Sequence, residues 1–218
     1  MNRGKQLAKR IAGAGLPIPG FVKPIIRGFY YAGVWITETL VLIRKWVFVE
    51  PVLRSLCRHA GKGLRADRFP YIRGRGHIRL GDDVNLSGRS CFYFMSALSE
   101  TPEIRIGSHV FVGNGCTFSA GRLISIGDHC LISAGVRIHD NDGHPLDAAR
   151  RMAGEPIGPE NVKPVTIEDG AWLGAGAVIL KGVTVGRNAI VGAGAVVTRD
   201  VPSGSTVAGN PAKEVSEK

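Results

Sequence analysis

The chain has 218 residues, of which 44% are hydrophobic and 21% charged, with 30 Gly and 12 Pro. This composition excludes disorder and collagen, and the length suffices for one full core with a small appendage. The formal net charge of +10 is unevenly distributed: residues 1–79 contain 16 Lys+Arg and 3 Asp+Glu, whereas residues 80–218 contain 12 and 15, giving +13 and −3. A basic segment of this kind indicates an electrostatic partner, either an anionic membrane surface or a nucleic acid.

Residues 1–79 predict a basic, mostly helical extension. Pro17 and Pro19 interrupt the basic start before a long apolar run develops, which argues against a signal peptide. Residues 21–60 read as one or two helices with a break near Pro51. Charged residues inside the apolar part leave no uncharged stretch near the roughly 18 residues of a membrane span, so we expect no transmembrane helix.

The polar residues of this predicted helix share about a third of the helical wheel and the rest is apolar; they are Thr37, Glu38, Arg44 and Lys45. One interpretation is a helix in the plane of the membrane interface, with Lys and Arg side chains meeting anionic head groups. The other is a helix packed on the first coil of the following domain, where it would shield an open edge. Nucleic acid is the weaker partner, because no binding motif accompanies the charge.

The four cysteines are Cys57, Cys91, Cys116 and Cys130, with spacings of 34, 25 and 14. No spacing fits a structural zinc site, so we interpret them as reduced packing residues of a cytosolic protein.

From Leu80 onward an apolar residue recurs every six positions. Six residues per strand and turn, with eighteen per coil, predict an all-β solenoid: a parallel β-helix of about five coils whose anchors point inward. The fifteen anchors are Leu80, Leu86, Phe92, Ile106, Val112, Phe118, Ile126, Ile132, Ile138, Ile167, Leu173, Ile179, Val185, Val191 and Val197.

The chain leaves this repeat at residues 98–105 and, at greater length, at residues 140–164. A long polar loop rich in Pro and Gly within a tight repeat is more often functional than accidental. The predicted organisation is therefore an extension at 1–79, a solenoid at 80–213 with an excursion at 140–164, and a tail at 214–218.

Three segments resemble a known family: GHPLD at 143–147, AWLGAGA at 171–177 and AGNPAK at 208–213. With the repeat, they are similar to the left-handed β-helix O-acetyltransferases of maltose, galactoside, nodulation factor and exopolysaccharides such as colanic acid. The resemblance covers residues 80–213 and implies a left-handed coil, an exception to the usual right-handed crossover. It also implies acetyl-CoA as the donor, a glycan acceptor and a homotrimer.

By this resemblance His144 is the general base for a sugar hydroxyl, since imidazole titrates where such a base is needed. His139 and Asp140 precede it, and Asp140 or Asp142 is expected to orient it or to hold the acceptor. Asn114 lies one position from the acceptor-binding Asn of the family, where this chain has Gly113.

The resemblance places coenzyme A against small residues and cations of the C-terminal half, because small residues let an extended pantetheine arm approach the backbone and cations bind phosphate. The predicted donor-binding residues are Trp172, Gly174, Ala175, Ala193, Thr198, Arg199 and Lys213, with Lys181 and Arg187 as unmatched further cations.

The main hypothesis is an acetyl-CoA-dependent O-acetyltransferase of a polysaccharide precursor. We expect it to be a peripheral protein on the inner face of the cell membrane, with a lipid-linked oligosaccharide as its acceptor. We expect no metal. One alternative is a zinc enzyme resembling γ-class carbonic anhydrases, because His139 and His144 are five apart and His109 lies one coil earlier. The other is a catalytically silent scaffold on the membrane.

Overall fold

The computed structural model describes residues 19–95 and 101–215. Residues 1–18 of the predicted extension, part of the excursion at 98–105 and the last three residues of the predicted tail lie outside this range. The chain divides into two compact units, Met1–Arg44 and Lys45–Lys218.

The described part of the first unit is dominated by helix α1, Lys23–Arg44, which contains no buried residue. Its large apolar side chains are exposed, including Phe29 at 77% and Trp35 at 70%. No helix in the described ranges combines the length and apolar character needed to cross a membrane.

The second unit begins with a π-helical turn, Lys45–Val49, and the short helix α2, Glu50–Leu56, with Pro51 in its first turn. The described residues then contain twenty short strands, interrupted by helix α3, Ala148–Met152, and a 3-10 turn, Pro159–Asn161. The strands are β1 His59–Ala60, β2 Arg65–Ala66, β3 Tyr71–Arg73, β4 His77–Leu80, β5 Asn85–Leu86, β6 Cys91–Phe94, β7 Glu103–Ile106, β8 Phe111–Val112, β9 Thr117–Ala120, β10 Leu123–Ile126, β11 Leu131–Ile132, β12 Arg137–His139, β13 Val165–Ile167, β14 Trp172–Leu173, β15 Val178–Ile179, β16 Thr184–Val185, β17 Ile190–Val191, β18 Val196–Val197, β19 Thr206–Gly209 and β20 Ala212–Glu214.

These strands form three sheets, and each coil contributes one strand to each sheet. Sheet 1 has the order β1-β4-β7-β10-β13-β16, sheet 2 the order β2-β5-β8-β11-β14-β17-β19-β20, and sheet 3 the order β3-β6-β9-β12-β15-β18. All neighbours pair in parallel except β19 and β20. The predicted parallel β-helix is confirmed.

The repeat begins before the predicted boundary at residue 80. Strands β1, β2 and β3 pair in parallel with β4, β5 and β6, which sets Ala60, Ala66 and Ile72 in register with Leu80, Leu86 and Phe92. Two of these three anchors are alanines, whose small side chains make the six-residue hydrophobic period hard to detect in the sequence here. The segment assigned to a helical extension therefore contains a further coil.

The interior of the solenoid is built from the predicted anchors. All fifteen are at most 2% exposed, and Phe92 stacks on Phe118 with ring centroids 5.2 Å apart. Successive coils approach closely at the corners: a Cβ at Gly113 would lie 2.5 Å from the backbone nitrogen of Ala134. Position 113 therefore requires glycine, because any side chain would collide with the backbone of the next coil.

The two ends of the solenoid differ from its body. At one end Val49 and Leu53 of the π turn and α2 are at most 1% exposed and belong to the same apolar core as the first coils. At the other end β20 pairs antiparallel with β19, with Ala208 opposite Lys213.

Candidate active site

The excursion at 140–164 leaves the solenoid after β12 and returns at β13, and Asp140 forms its base. This residue is fully buried. Its carboxylate accepts the backbone N–H groups of Gly121, Arg122 and Leu123 at 2.5, 2.7 and 2.8 Å. Asp140 therefore joins the start of the loop to the turn of the preceding coil. Its carboxylate is buried in this contact and does not face solvent.

Asn141 extends this attachment. Its amide nitrogen donates to the carbonyl oxygen of Ser119 at 2.9 Å and to the Asp140 carboxylate at 2.9 Å. Its amide oxygen accepts the backbone N–H of Gly143 at 3.0 Å, and Asp142 forms an ion pair with Lys181. Asn141 and Asp142, which precede the GHP segment, are thus fixed by hydrogen bonds and by an ion pair.

His144 lies on the exposed part of this loop. The carbonyl oxygens of the next two residues, Pro145 and Leu146, both accept hydrogen bonds from the Arg151 guanidinium, at 2.9 and 3.0 Å. Arg151 belongs to α3, whose first turn is capped by the Asp147 carboxylate accepting the Arg150 N–H at 2.8 Å. The His144 imidazole itself has no hydrogen-bond partner within residues 19–95 and 101–215. The Arg151 hydrogen bonds fix the backbone next to His144, and the His144 ring stays accessible to solvent.

His139, in β12, lies on the outer face of sheet 3. Burial lowers the pKa of its imidazole, and the nearby Arg137 charge lowers it further, while the Asp140 charge acts in the opposite direction. Its register neighbours on the same face are Ser119 and then Tyr93. Neither was identified from the sequence, although both follow an anchor directly, as His139 does.

A corner of small residues runs along the other end of sheet 3, where the chain passes from sheet 2 to sheet 3. It consists of Asn114, Ala134, Ala175 and Ala193, all exposed. Their carbonyl groups or side chains connect successive coils: Gly176 N–H donates to Ala134 O at 2.9 Å, and Gly194 N–H to Ala175 O at 2.8 Å. Asn114 Oδ1 accepts the Arg89 N–H at 2.9 Å, so this amide oxygen is engaged by the backbone.

Trp172 and Gly174 lie beside this small-residue corner. Trp172, in β14, is 46% exposed, and its indole N–H donates to Ser133 Oγ at 3.2 Å. Gly174 is packed so closely that a Cβ would lie 2.6 Å from the backbone nitrogen of Ala193. The structure therefore brings together four predicted donor-binding residues: Trp172, Gly174, Ala175 and Ala193.

Thr198 and the predicted cations are more dispersed. Thr198 and Arg199 follow β18, and Lys181 follows β15, at the same end of sheet 3 as His139. Arg187 pairs with Asp169 at 3.0 Å, and Lys213 lies on β20. Within one chain the His144 loop and the small-residue corner are thus at opposite ends of sheet 3, whose strands span about 7–13 Å.

The histidines of the zinc alternative are also separated. His109 has its ring stacked on His129 with centroids 4.8 Å apart, at the corner between sheets 1 and 2. His139 lies on sheet 3, and the described residues contain no cluster of three or more metal-ligating side chains. No observation favours a zinc centre over acyl transfer.

Family models match two parts of the solenoid. Residues 164–199 match bacterial transferase hexapeptide (six repeats), and residues 103–139 match the hexapeptide repeat of succinyl-transferase. These segments coincide with the strands that carry the six-residue period.

Named relatives extend this comparison. The chain is 50% identical to Nodulation protein L of Rhizobium leguminosarum bv. viciae over 110 residues, which is 50% of this chain and 55% of that protein. It is 34% identical over 115 residues to the polysialic acid O-acetyltransferase of Neisseria meningitidis, covering 51% and 49%. The chain thus spans about half the length of the curated relatives it matches.

A solved structure matches over a longer range. The hexapeptide-repeat acetyltransferase of Vibrio cholerae O1 biovar eltor, in complex with acetyl coenzyme A, is 31% identical, with a TM-score of 0.53 and coverage of 75% of this chain and 73% of that one. With the parallel sheets and the hexapeptide models, this match fits the expected left-handed β-helix.

Proposed function

The chain belongs to the hexapeptide-repeat acetyltransferase family, and from this we propose that it transfers the acetyl group of acetyl-CoA to a sugar hydroxyl of a polysaccharide precursor. One observation carries the proposal: the excursion presents an accessible His144 on a backbone held by Asp140, Asn141 and Arg151. The names of the relatives, a nodulation protein and a polysialic acid O-acetyltransferase, support a glycan as the acceptor.

In the proposed reaction the neutral imidazole of His144 removes the proton of the acceptor hydroxyl. The oxygen then attacks the thioester carbonyl, an ester bond forms, and the C–S bond breaks as the coenzyme A sulfur leaves with a proton returned by His144. The accessible ring suits this function, because a general base must reach a proton on a bound substrate.

Asp140 acts, in this proposal, as a positioning residue. Its carboxylate is occupied by three backbone donors, so it fixes the start of the loop. Asp142, which pairs with Lys181 at the edge of the loop, and His139, on the adjacent face, remain the proposed acceptor-side residues. Asn114 lies at the far corner, where it would meet an acceptor only from another copy of the chain.

Acetyl-CoA is proposed to bind at the small-residue corner. Ala175 and Ala193 leave open surface beside exposed backbone, and the Trp172 ring supplies an apolar wall. Arg199 and Lys213 are the proposed phosphate ligands, since guanidinium and ammonium groups pair with phosphate oxygens. Because Arg199 lies at the other end of sheet 3, it would meet a donor at this corner only from a neighbouring copy.

We also propose a homotrimer, and the separation of the two parts of the site supports it. The donor corner and the His144 loop are at opposite ends of sheet 3, so a site that uses both is completed by a neighbouring copy. Sheet 2 also carries an outer column of exposed apolar side chains, Phe111, Leu131 and Trp172, at 37–46%. Such a column is suited to burial between copies. Light scattering that shows a monomer at enzyme-assay concentrations would exclude this shared site.

We further propose that α1 binds an anionic membrane on the inner face of the cell, near a lipid-linked acceptor. About half of its circumference is apolar except for Thr39, and the charged residues Lys23, Arg27, Glu38 and Arg44 lie on the remaining arc. An in-plane helix binds membranes through this combination.

The membrane proposal is tested with two aromatic residues of α1. Trp35 lies on the apolar arc, and Tyr30, 65% exposed, lies on the polar arc. We expect Trp35→Ser to weaken sedimentation of the full chain with phosphatidylglycerol vesicles at least about tenfold, and Tyr30→Ser to change it little. Equal effects, or equal binding to neutral vesicles, would contradict an oriented interfacial helix.

The transferase proposal is tested first by calorimetric titration of acetyl-CoA into the full chain, with His144→Ala measured beside it. We expect saturable binding in both proteins. With a glycan acceptor, His144→Ala should lower the rate of acetyl transfer, followed by mass spectrometry, at least about a hundredfold. His59→Ala, which removes an exposed histidine of β1, is the control. Absence of acetyl-CoA binding would reject the proposal.

A further inference from the structure

The outer face of sheet 3 carries a cluster of aromatic and cationic side chains that the donor site and the His144 loop do not use. Outward-facing residues of β3 and β6 alternate with core residues, which places Tyr71, Arg73 and Tyr93 on this face. The Tyr71 and Tyr93 rings are 5.8 Å apart, and the Arg89 guanidinium lies 5.7 Å from the centre of the Tyr71 ring. We call Tyr71, Arg73, Arg89 and Tyr93 the tyrosine–arginine patch.

The charge of this face is not compensated. None of the six strands of sheet 3, as the structure describes them, contains Asp or Glu. In the described ranges neither Arg73 nor Arg89 pairs with a carboxylate. On sheet 1, by contrast, Arg79 and Arg105 both pair with Glu103, at 2.6 and 2.5 Å. The patch is therefore a region of positive charge that no carboxylate of the described residues neutralises.

The patch is continuous with the proposed catalytic loop. Register pairs run from Arg73 to Tyr93, from Tyr93 to Ser119 and from Ser119 to His139, and the Asn141 amide donates to Ser119 Oγ at 3.2 Å. Three steps between strands cover about 14 Å. An oligosaccharide with its reacting hydroxyl near His144 can thus extend along this face to the patch.

The chemistry of the patch selects one class of ligand. Tyrosine rings present apolar faces to the C–H faces of sugars and a hydroxyl to their polar groups. Guanidinium groups bind carboxylates in a planar, bidentate geometry. We infer that the tyrosine–arginine patch is an acceptor subsite for oligosaccharides that carry carboxylate groups, such as uronic acid units. This inference rests on the proposed transferase function and specifies its acceptor as acidic.

The test compares two oligosaccharides of equal length, tetragalacturonate and maltotetraose, by calorimetric titration into the full chain at low salt. We expect tetragalacturonate to bind at least about tenfold tighter. The double variant Arg73→Gln with Arg89→Gln should remove this preference. The matched control is Arg65→Gln with Arg68→Gln, which removes two exposed charges of the first coil that lie outside sheet 3 and should retain the preference.

Aromatic contact is tested by Tyr71→Leu, which keeps apolar volume and removes the flat ring. We expect it to weaken binding of both oligosaccharides while the preference for tetragalacturonate remains. Equal binding of the two ligands, absence of binding, or equal loss in both double variants would overturn the subsite. So would sedimentation with phosphatidylglycerol vesicles that depends on Arg73 and Arg89, since the patch would then bind lipid.

Acetyl-CoA titration of the same variants separates the two proposals. Unchanged acetyl-CoA binding with no oligosaccharide preference rejects only the subsite. Loss of acetyl-CoA binding in the unmutated chain rejects the transferase function itself.

Discussion

Removal of the buried Asp140 carboxylate is expected to destabilise the solenoid strongly. In Asp140→Ala the backbone N–H groups of three consecutive residues, 121–123, lose the acceptor that they share. A buried donor that loses its acceptor costs about 1–3 kcal/mol. With relaxation and water entry at one edge of the turn, we expect a loss of about 4 kcal/mol in the free energy of unfolding. For a unit of this size that corresponds to a decrease of about 8–16 °C in Tm.

The matched control is Asp142→Ala, two residues later. Asp142 pairs with Lys181 at the edge of the same loop, with both side chains partly exposed, so its removal should cost less than about 1 kcal/mol. Thermal unfolding followed by circular dichroism measures both variants. Asp140→Asn should also be destabilised, because its amide would face backbone donors. A decrease in Tm of less than about 2 °C in Asp140→Ala would refute the reasoning that the carboxylate holds the turn.

Further predictions concern single side chains. Burial raises the pKa of the Cys57 and Cys130 thiols from 9.0 to about 11. Iodoacetamide at pH 8 should therefore label both about a hundredfold more slowly than an unshifted thiol, as measured by peptide mass spectrometry. Rapid labelling of the folded chain would contradict this. The folded state keeps these protons longer than the unfolded state, so Tm should fall between pH 9 and 11, and less steeply in Cys130→Ala. Because the pKa of His139 is lowered in the folded state, stability is lost as the pH falls below 6.5, the pKa of the unfolded chain. Arg137→Gln should raise the pKa of folded His139 in an NMR titration. No change would exclude the Arg137 charge as a cause. Ser90 is 1% exposed and its Oγ has no partner among the described residues, so Ser90→Ala should stabilise the fold by up to about 1 kcal/mol in urea unfolding, and a loss would show an unseen hydrogen bond.

The sequence was sufficient to predict the solenoid because its period is carried by side chains that must be buried. Every anchor from Leu80 to Val197 is inside, and the excursion at 140–164 leaves the coil where the period is interrupted. The first coil was missed because Ala60 and Ala66 fill two anchor positions with little apolar volume. Its register appears only when β1 and β2 are seen beside β4 and β5.

The candidate site was less accessible to sequence reasoning. GHP identifies His144 through a local motif, but the partners of Asp140 lie 17–19 residues earlier, in the turn of another coil. The use of Asn114 Oδ1 by the Arg89 backbone, 25 residues earlier, depends in the same way on stacking of coils. Tyr93 and Ser119 became candidates only through the column that they form with His139. These relations depend on three-dimensional register, which a linear motif does not contain.

A hexapeptide repeat does not by itself limit the number of coils that can stack. Each coil offers its neighbour a complete set of strand edges, so two uncovered ends would allow molecules to add to one another indefinitely. The apolar plug of Val49 and Leu53 at one end, and the reversed strand β20 at the other, give this solenoid a definite length. A chain that lacks both features should assemble end to end into fibres, and these two end structures therefore decide whether the same repeat forms a discrete molecule or a filament.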